Sequence, residues 1–217
     1  MKIAVLGTGV VGETIGSKLI ELGHQVTMGS RSSSNENGLA WVTKNGANAS
    51  LGKFNDAAGF GELIFNCTKG MESIHILESI DEQNLNSKIL IDLSNPLDFS
   101  KGFPPSLSIC NTNSLGEEIQ HHFSNIHVVK TLNTMWCGLM VNPAMIGNAD
   151  HVNFICGNNG QAKEKVKELL ASFGWLEQNI IDLGDITASR GTEMYLPLWL
   201  RIYNATQNGA FNLKLIR

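Results

Sequence analysis

A glycine-rich segment near the N-terminus constrains the fold of this chain more than any other feature. Gly7, Gly9 and Gly12 form a G-x-G-x-x-G pattern between a short apolar run, residues 2–6, and apolar residues at helical spacing. A strand, a tight glycine turn and a helix in this order are typical of dinucleotide-binding units. Gly7 permits the turn, Gly9 lets the backbone approach a pyrophosphate, and Gly12 lets the helix pack closely on the strand. The predicted phosphate-binding residues are Gly7, Thr8, Gly9, Val10, Val11 and Gly12.

Short apolar runs alternate with helical periods along most of the chain. The predicted strands are residues 2–6, 25–28, 47–50, 62–67, 88–93, 127–132, 151–156 and 179–183. The predicted helices after the first, which begins near residue 11, are residues 71–79, 114–123 and 161–173. This alternation predicts an α/β fold: a doubly wound, mostly parallel, Rossmann-like sheet of about eight strands, covered by helices on both faces.

We expect one domain over residues 1–217, in which residues 185–217 form a short helical C-terminal extension. Residues 194–203 of this extension are apolar nearly all round, which is typical of a buried helix. Such a helix packs either in its own domain or against a partner, and Pro197 should kink it or mark its first turn.

Composition excludes several classes of protein. The formal net charge is −4, which argues against a nucleic-acid partner, because such proteins carry a basic excess. No apolar run approaches the roughly 18 residues of a membrane-spanning helix, so we expect a cytoplasmic protein without a membrane partner. The four cysteines are far apart and form no metal-binding pattern, which indicates reduced thiols and no metal site.

The end of the second predicted strand indicates which dinucleotide binds. An NAD site places Asp or Glu there to hold the ribose hydroxyls. This chain has Ser30, Arg31 and Ser32 instead, and no carboxylate until Glu36. Arg31 can make charge-assisted hydrogen bonds to a 2′-phosphate while the serines donate hydroxyls, so the segment favours NADP over NAD. The alternative is a solvated serine-rich loop.

Ligands of doubly wound sheets bind at the carboxyl ends of the strands, near the point where strand order reverses. The residues predicted there are Cys67, Thr68, Asn95, Pro96, Asn133 and Thr134. They suit contacts to amides and rings, but we see no acid–base pairing of the kind that hydroxy-acid dehydrogenases use. We therefore assign no catalytic residue.

Several further segments are shared with a known family. They are residues 23–24, 29–31, 92–97, 129–134, 181–184 and a tail that runs from 189 through 197–198 to 208–209. On these segments and the glycine pattern, the chain resembles the coenzyme F420-dependent NADP reductases and the oxidoreductase domain of metalloreductases. The resemblance covers essentially the whole chain.

The resemblance implies an oxidoreductase with NADP as its cofactor and coenzyme F420, or a flavin, as the hydride acceptor. It places Thr8 and the glycine turn on the pyrophosphate, Ser30 and Arg31 on the 2′-phosphate, and Asn95 and Pro96 beside the nicotinamide. It also implies an acceptor pocket formed by the C-terminal extension, often at the contact of a homodimer. Two alternatives remain open: a small imine or hydroxy-acid reductase, and a non-catalytic NADPH sensor.

Overall fold

The computed structural model describes residues 1–216; Arg217, the last residue of the predicted extension, lies outside the described residues. The strands are β1 (Lys2–Leu6), β2 (Gln25–Ser30), β3 (Ala49–Lys53), β4 (Leu63–Asn66), β5 (Ile89–Asp92), β6 (Leu97–Asp98), β7 (Ser106–Leu107), β8 (His127–Thr131), β9 (Asn153–Cys156) and β10 (Ile180–Asp182). The helices are α1 (Val10–Glu21), α2 (Glu36–Asn45), α3 (Phe54–Phe60), α4 (Gly70–Glu78), α5 (Glu82–Leu85), α6 (Leu115–His122), α7 (Cys137–Val141), α8 (Gly160–Ser172), α9 (Ser189–Met194) and α10 (Leu196–Thr206).

Eight strands form one sheet in the order β10-β9-β8-β5-β4-β1-β2-β3. All neighbours are parallel except β8 and β9, which pair antiparallel. The predicted sheet of eight mostly parallel strands is therefore confirmed. The strand order reverses between β1 and β4, because the chain leaves β3 at one edge and re-enters beside β1. The carboxyl ends of β1 and β4 thus border the crevice where such sheets bind ligands.

The sheet is buried on both faces by helices, which explains why its central strands are continuous apolar runs. Ile15 and Leu19 of α1 and Trp41 of α2 pack in the core on one face. On the other face, Phe54 of α3 and Ile119 of α6 belong to a second core cluster. The doubly wound arrangement is confirmed.

Two helices that border the crevice are absent from the prediction. The segment after the serine-rich loop forms α2, which Asn35 caps by accepting a hydrogen bond from the Gly38 N–H. Trp41 anchors this helix, because its indole N–H donates to the Ser17 hydroxyl. The short helix α3 buries Phe54 directly after β3. A small antiparallel hairpin, β6 with β7, is a third element that the sequence analysis treated as loop.

The C-terminal extension forms α9 and α10, and Pro197 lies in the first turn of α10, as one predicted alternative has it. Of the two alternatives for residues 194–203, burial of the whole helix within its own domain is wrong. Leu196 is buried, but Leu198 is 56% exposed and Tyr203 is 40% exposed. The reason is that Trp199 stacks on Tyr203 and Phe211 along one side only. Of the helices within residues 1–216, none is both long and apolar enough to cross a membrane.

Candidate functional site

The glycine turn between β1 and α1 has little space for side chains at two of its positions. Gly7 has φ +113°, a conformation that favours glycine, and a Cβ there would lie 2.7 Å from the Cys67 carbonyl oxygen. A Cβ on Gly12 would lie 2.1 Å from the Gly7 carbonyl oxygen. A Cβ on Gly9, in contrast, would have no atom within 4 Å. The turn is therefore tight at Gly7 and Gly12 and open at Gly9.

The first turn of α1 presents unpaired backbone donors to the open space beside Gly9. Gly9 is the N-cap residue, and no side chain caps the helix. The first N–H groups of a helix have no partner inside it, and the helix dipole adds partial positive charge at this end. This geometry suits an anion such as a pyrophosphate.

A cleft of about 740 Å³ opens at the carboxyl ends of β1 to β4. We call it the large cleft. It contains seven of the predicted binding residues, namely Gly7, Thr8, Gly9, Ser30, Arg31, Cys67 and Thr68. Its lining also includes residues that the sequence analysis missed, among them Asn35, Lys53, Phe54, Asn55, Lys69 and His75. The cleft is of the size that small-molecule ligands occupy.

One end of the large cleft carries two cations. Ser30 on β2 and Lys53 on β3 are register partners, so Arg31 and Lys53 lie at the same edge of the sheet. Neither cation forms an ion pair within residues 1–216. Ser32 lies outside the cleft lining, where its N–H donates to the Ser30 hydroxyl. The sequence analysis missed Lys53 because it ended the third strand at residue 50. The observed register of β2 and β3 is what places Lys53 beside Ser30.

A second cleft, of about 510 Å³, adjoins the first at the start of α4. We call it the apolar cleft. Both clefts share Cys67, Thr68, Lys69 and Glu72. The residues that line the apolar cleft alone are Val11, Gly70, Met71, Leu93, Ser94, Asn95, Leu97 and Phe99. The predicted binding residues Val11 and Asn95 therefore also lie at the crevice, in the lining of the apolar cleft.

The remaining predicted residues line neither cleft, although one of them, Asn133, is hydrogen-bonded to Asn95 of the apolar cleft. The Asn95 side-chain amide donates a 2.9 Å hydrogen bond to the Asn133 backbone carbonyl oxygen. In return, the Asn133 side-chain amide donates a 2.9 Å hydrogen bond to the Asn95 side-chain oxygen. Pro96 and Thr134 are buried, and the Thr134 hydroxyl has no hydrogen-bond partner among the described residues. Val10, the first residue of α1, is 68% exposed.

A buried ionic network lies beneath the strand ends, where the sequence analysis saw no acid–base pairing. The Lys130 Nζ atom is 2.8 Å from the Asp92 carboxylate and 2.8 Å from the Glu193 carboxylate. The side chains of all three are at most 1% exposed. Burial opposes the charge of Lys130, but the two carboxylates outweigh it and raise the pKa of its ammonium group. None of the three side chains lines either cleft, so the network is not the acid–base pairing that hydroxy-acid dehydrogenases use, and the lack of such a pair at the site stays a prediction.

This network connects the C-terminal extension to the large cleft. Glu193 of α9 also accepts hydrogen bonds from the Leu115 and Gly116 N–H groups at the start of α6. At the other end, Asp92 accepts from the Asn66 side chain, whose carbonyl oxygen accepts from the Thr68 hydroxyl. Lys130 lines neither cleft, so the network supports the site and does not itself face a ligand. Its partners are distant in sequence, although Asp92 and Lys130 each lie near the end of a predicted strand, residues 88–93 and 127–132.

Cys67, the cysteine that lines both clefts, is not poised as a nucleophile. Burial, with smaller effects from the charges of Asp92 and Cys137, raises the pKa of the Cys67 thiol, so it is protonated at neutral pH. All four cysteines are unpaired. Within residues 1–216 no group of three or more His, Cys, Asp or Glu side chains is arranged to hold a metal ion.

A family model and a solved structure of high identity point to the same family. Residues 2–96 match the family model described as NADP oxidoreductase, coenzyme F420-dependent. A candidate F420-dependent NADP reductase of Arthrobacter sp. FB24 is 46% identical, covers 100% of both chains and superposes with a TM-score of 0.94.

More distant relatives share the fold or a part of a longer chain. The metalloreductase STEAP3 of Rattus norvegicus is 27% identical over 206 residues, which are 91% of this chain but 38% of that protein. The chain thus spans well under half the length of this curated relative. A reductive aminase of Aspergillus terreus, solved with NADPH, is 17% identical with a TM-score of 0.66 and shows the fold alone; the match covers 95% of this chain and 62% of that one.

Proposed function

Because the chain belongs to the family of coenzyme F420-dependent NADP oxidoreductases, we propose that it transfers hydride between NADP(H) and a planar acceptor. A deazaflavin of the coenzyme F420 type is the first candidate for the acceptor, and a flavin is the second. For this chain itself, the proposal covers the preference for NADP over NAD, the residues that bind the dinucleotide, and the acceptor.

The single observation that carries the NADP assignment is the cationic end of the large cleft. Arg31 and Lys53 are exposed there without carboxylate partners, and Arg31 directly follows Ser30, the register partner of Lys53. A 2′-phosphate would supply the missing negative charge, whereas an NAD ribose would leave both cations unpaired. At the other end of this cleft, the open space beside Gly9 and the uncapped start of α1 suit the pyrophosphate. The residues present therefore fit NADP.

The apolar cleft supports hydride transfer to a ring. When bound, NADPH supplies a hydride with its electron pair from the nicotinamide C4 and leaves as NADP⁺, while the acceptor takes up the hydride and one proton from water. The two hydrogen bonds between Asn95 and Asn133 hold together the segments that follow β5 and β8, next to the proposed nicotinamide position. Val11 and Leu97 give this cleft apolar lining. Positioning is the main task of the protein in such a reaction, which agrees with a cleft that offers no thiolate.

A homodimer is part of the proposal. The exposed side of α10, with Leu198 and Tyr203, is an apolar surface on the extension that the Lys130 network ties to the site. A second copy of the chain would cover this surface. Light scattering after size exclusion should give twice the monomer mass, and Leu198→Lys should shift the protein towards the monomer. A wild-type monomer at micromolar concentration would contradict this part.

The dinucleotide assignment is tested by Arg31→Ala and Lys53→Ala. Each variant loses one charge-assisted contact to phosphate, so the KM for NADPH should rise about 10-fold to 150-fold. The KM for NADH should change less than about twofold. Lys44→Ala, which removes an exposed cation outside the large cleft, is the matched control and should affect neither value. Equal effects on both cofactors would contradict NADP preference.

The acceptor is tested by a panel followed through nicotinamide absorbance. Coenzyme F420, riboflavin, a cyclic imine and a 2-oxo acid are each added to the protein with NADPH. Turnover with coenzyme F420 or riboflavin supports the proposal. Turnover with only the imine or the oxo acid would favour a small imine or hydroxy-acid reductase. Tight NADPH binding without any turnover would favour an NADPH sensor.

A further inference from the structure

Asn66, the last residue of β4, lies between the buried ionic network and Thr68, one of the residues that both clefts share. The Asn66 side chain is fully buried. Its amide nitrogen donates a 2.9 Å hydrogen bond to the Asp92 carboxylate. Its amide oxygen accepts from the Thr68 hydroxyl over 2.6 Å and from the Thr68 N–H over 3.3 Å. One buried side chain thus connects the network to the lining of the site.

The orientation of the Asn66 amide is set by the charges of the network. Lys130 donates a 2.8 Å hydrogen bond to one oxygen of Asp92, so Asp92 faces Asn66 as a carboxylate, which only accepts. The amide must therefore turn its NH₂ group towards Asp92 and its oxygen towards Thr68. The opposite orientation would place the amide oxygen against a buried carboxylate, which is costly in an interior without water.

The fixed amide decides how the Thr68 hydroxyl can meet a ligand. The hydroxyl has a single proton, which it donates to the Asn66 oxygen. The Ser73 hydroxyl lies 2.8 Å from the Thr68 hydroxyl oxygen and must be the donor in that contact, because the Thr68 proton is already used. A hydroxyl oxygen has two lone pairs, so one is left. Thr68 therefore meets a ligand as a hydrogen-bond acceptor.

The place of Thr68 in the crevice indicates which part of the dinucleotide meets this acceptor. Thr68 is half-buried and lies where the two clefts adjoin. The proposed function puts the pyrophosphate in the large cleft and the nicotinamide in the apolar cleft. The group that joins these two parts of NADP(H) is the nicotinamide-side ribose, and its hydroxyl groups are hydrogen-bond donors. This ribose must cross the border at which Thr68 lies.

We propose that Asn66 is a positioning residue, which holds Thr68 so that its hydroxyl accepts a hydrogen bond from the nicotinamide-side ribose. Lys130 and Asp92 then act on the ligand indirectly, because they fix the Asn66 amide. This inference rests on the proposed function, since it assumes that NADP(H) spans both clefts. It gives the buried network a role in cofactor binding in addition to its role in stability.

The ribose contact is tested by Thr68→Val, because valine keeps the shape of threonine and removes the hydroxyl. Thr43→Val is the matched control, since Thr43 is exposed in α2 and lines neither cleft. The dissociation constants of NADPH and of adenosine 2′,5′-bisphosphate are measured by calorimetric titration. The bisphosphate keeps the adenine, the 2′-phosphate and one phosphate of the pyrophosphate, but it lacks the nicotinamide-side ribose.

Loss of one hydrogen bond should weaken NADPH binding about threefold to tenfold in Thr68→Val and leave bisphosphate binding within about twofold of the wild type. Thr43→Val should match the wild type for both ligands. A general loss of structure would weaken both ligands alike. The inference is overturned, with the proposed function intact, if the wild type binds both ligands and Thr68→Val binds NADPH like the wild type or loses both equally. If the wild type binds neither ligand, both proposals fail.

The role of Asn66 is tested by a double-mutant cycle. Asn66→Leu keeps the approximate size of the side chain but neither donates nor accepts, so it should weaken NADPH binding about twofold to tenfold in the wild-type background. In the Thr68→Val background it should add less than about twofold, because both changes remove the same contact. Asp92→Asn is a second variant with the same expected pattern: it no longer sets the Asn66 amide, while Lys130 keeps Glu193 as its counter-ion. Thermal melts check folding, and equal losses in both backgrounds would overturn the role of Asn66.

Discussion

A single added methyl group at Gly12 or at Gly9 should separate the folding role of the glycine turn from its ligand role. At Gly12 the new Cβ would lie 2.1 Å from the Gly7 carbonyl oxygen, far inside van der Waals contact. The obstacle is backbone, which cannot rotate away like a flexible side chain. At Gly9 the new Cβ meets no atom within 4 Å, and φ is −87°, which alanine adopts readily.

The two substitutions should therefore differ in their effect on the free energy of unfolding. Overpacking costs about 1–3 kcal/mol, and a backbone obstacle places Gly12→Ala at the upper end, near 3 kcal/mol. For a chain of this size, about 3 kcal/mol lowers Tm by roughly 6–12 °C. Gly9→Ala changes only an N-cap residue, which should cost at most about 1 kcal/mol. Its Cβ would instead fill the space that the pyrophosphate needs, so we expect NADPH to bind at least about tenfold more weakly.

Differential scanning calorimetry and NADPH titration by fluorescence measure the two effects on the same samples. The expected pattern is a large fall in Tm for Gly12→Ala, and nearly wild-type Tm with weak NADPH binding for Gly9→Ala. A Gly9→Ala variant that binds NADPH like the wild type would refute the placement of the pyrophosphate at this turn. A Gly12→Ala variant with unchanged Tm would refute the close packing of α1 on the turn.

Three further predictions concern charge and thiol chemistry. Lys130→Met leaves two buried carboxylates without their cation, so it should cost about 3–5 kcal/mol, and an unchanged Tm in calorimetry would contradict this. The hydrogen bond from Arg190 lowers the pKa of Glu117, so stability from this pair is present above about pH 4.3 and is lost as pH falls through the lowered value. Melts of the wild type and Glu117→Gln should differ at neutral pH and converge in acid; a difference that persists in acid would count against the pair. Ellman's reagent should label exposed Cys110 rapidly in the native protein and Cys67 far more slowly, because burial raises the pKa of the Cys67 thiol even though this residue lines both clefts; native labelling of Cys67 as rapid as that of Cys110 would contradict this.

Local patterns in the sequence predict the sheet well, because its strands are buried on both faces and read as apolar runs. All eight strands of the large sheet correspond to predicted runs, and β3, the weakest of them, begins two residues later than expected. The helices α2 and α3 were missed for a local reason. The buried residues of α2 are Gly38 and Trp41, and those of α3 are Phe54, Ala57 and Ala58, which is too few in either helix for a clear period.

The candidate site is partly predictable from the sequence. The glycine turn, Ser30 and Arg31 follow from residues that are adjacent in the chain, and the structure places them in one cleft. Lys53 enters only through the register of β2 and β3. The Lys130 network needs partners from three distant segments, so no local pattern reveals it.

The Lys130 network also has a consequence for the order in which the chain can mature. Synthesis proceeds from the N-terminus, so Asp92 emerges well before Lys130 and about 100 residues before Glu193. At about 5–20 residues per second, roughly 5–20 s separate the first carboxylate from the second. After Lys130 has emerged it can pair with Asp92, but until Glu193 follows, the Leu115 and Gly116 N–H groups at the start of α6 lack the carboxylate that accepts their hydrogen bonds. We therefore expect nascent chains released before residue 193 to be recognised by chaperones or proteases, although they already contain every residue that lines the two clefts.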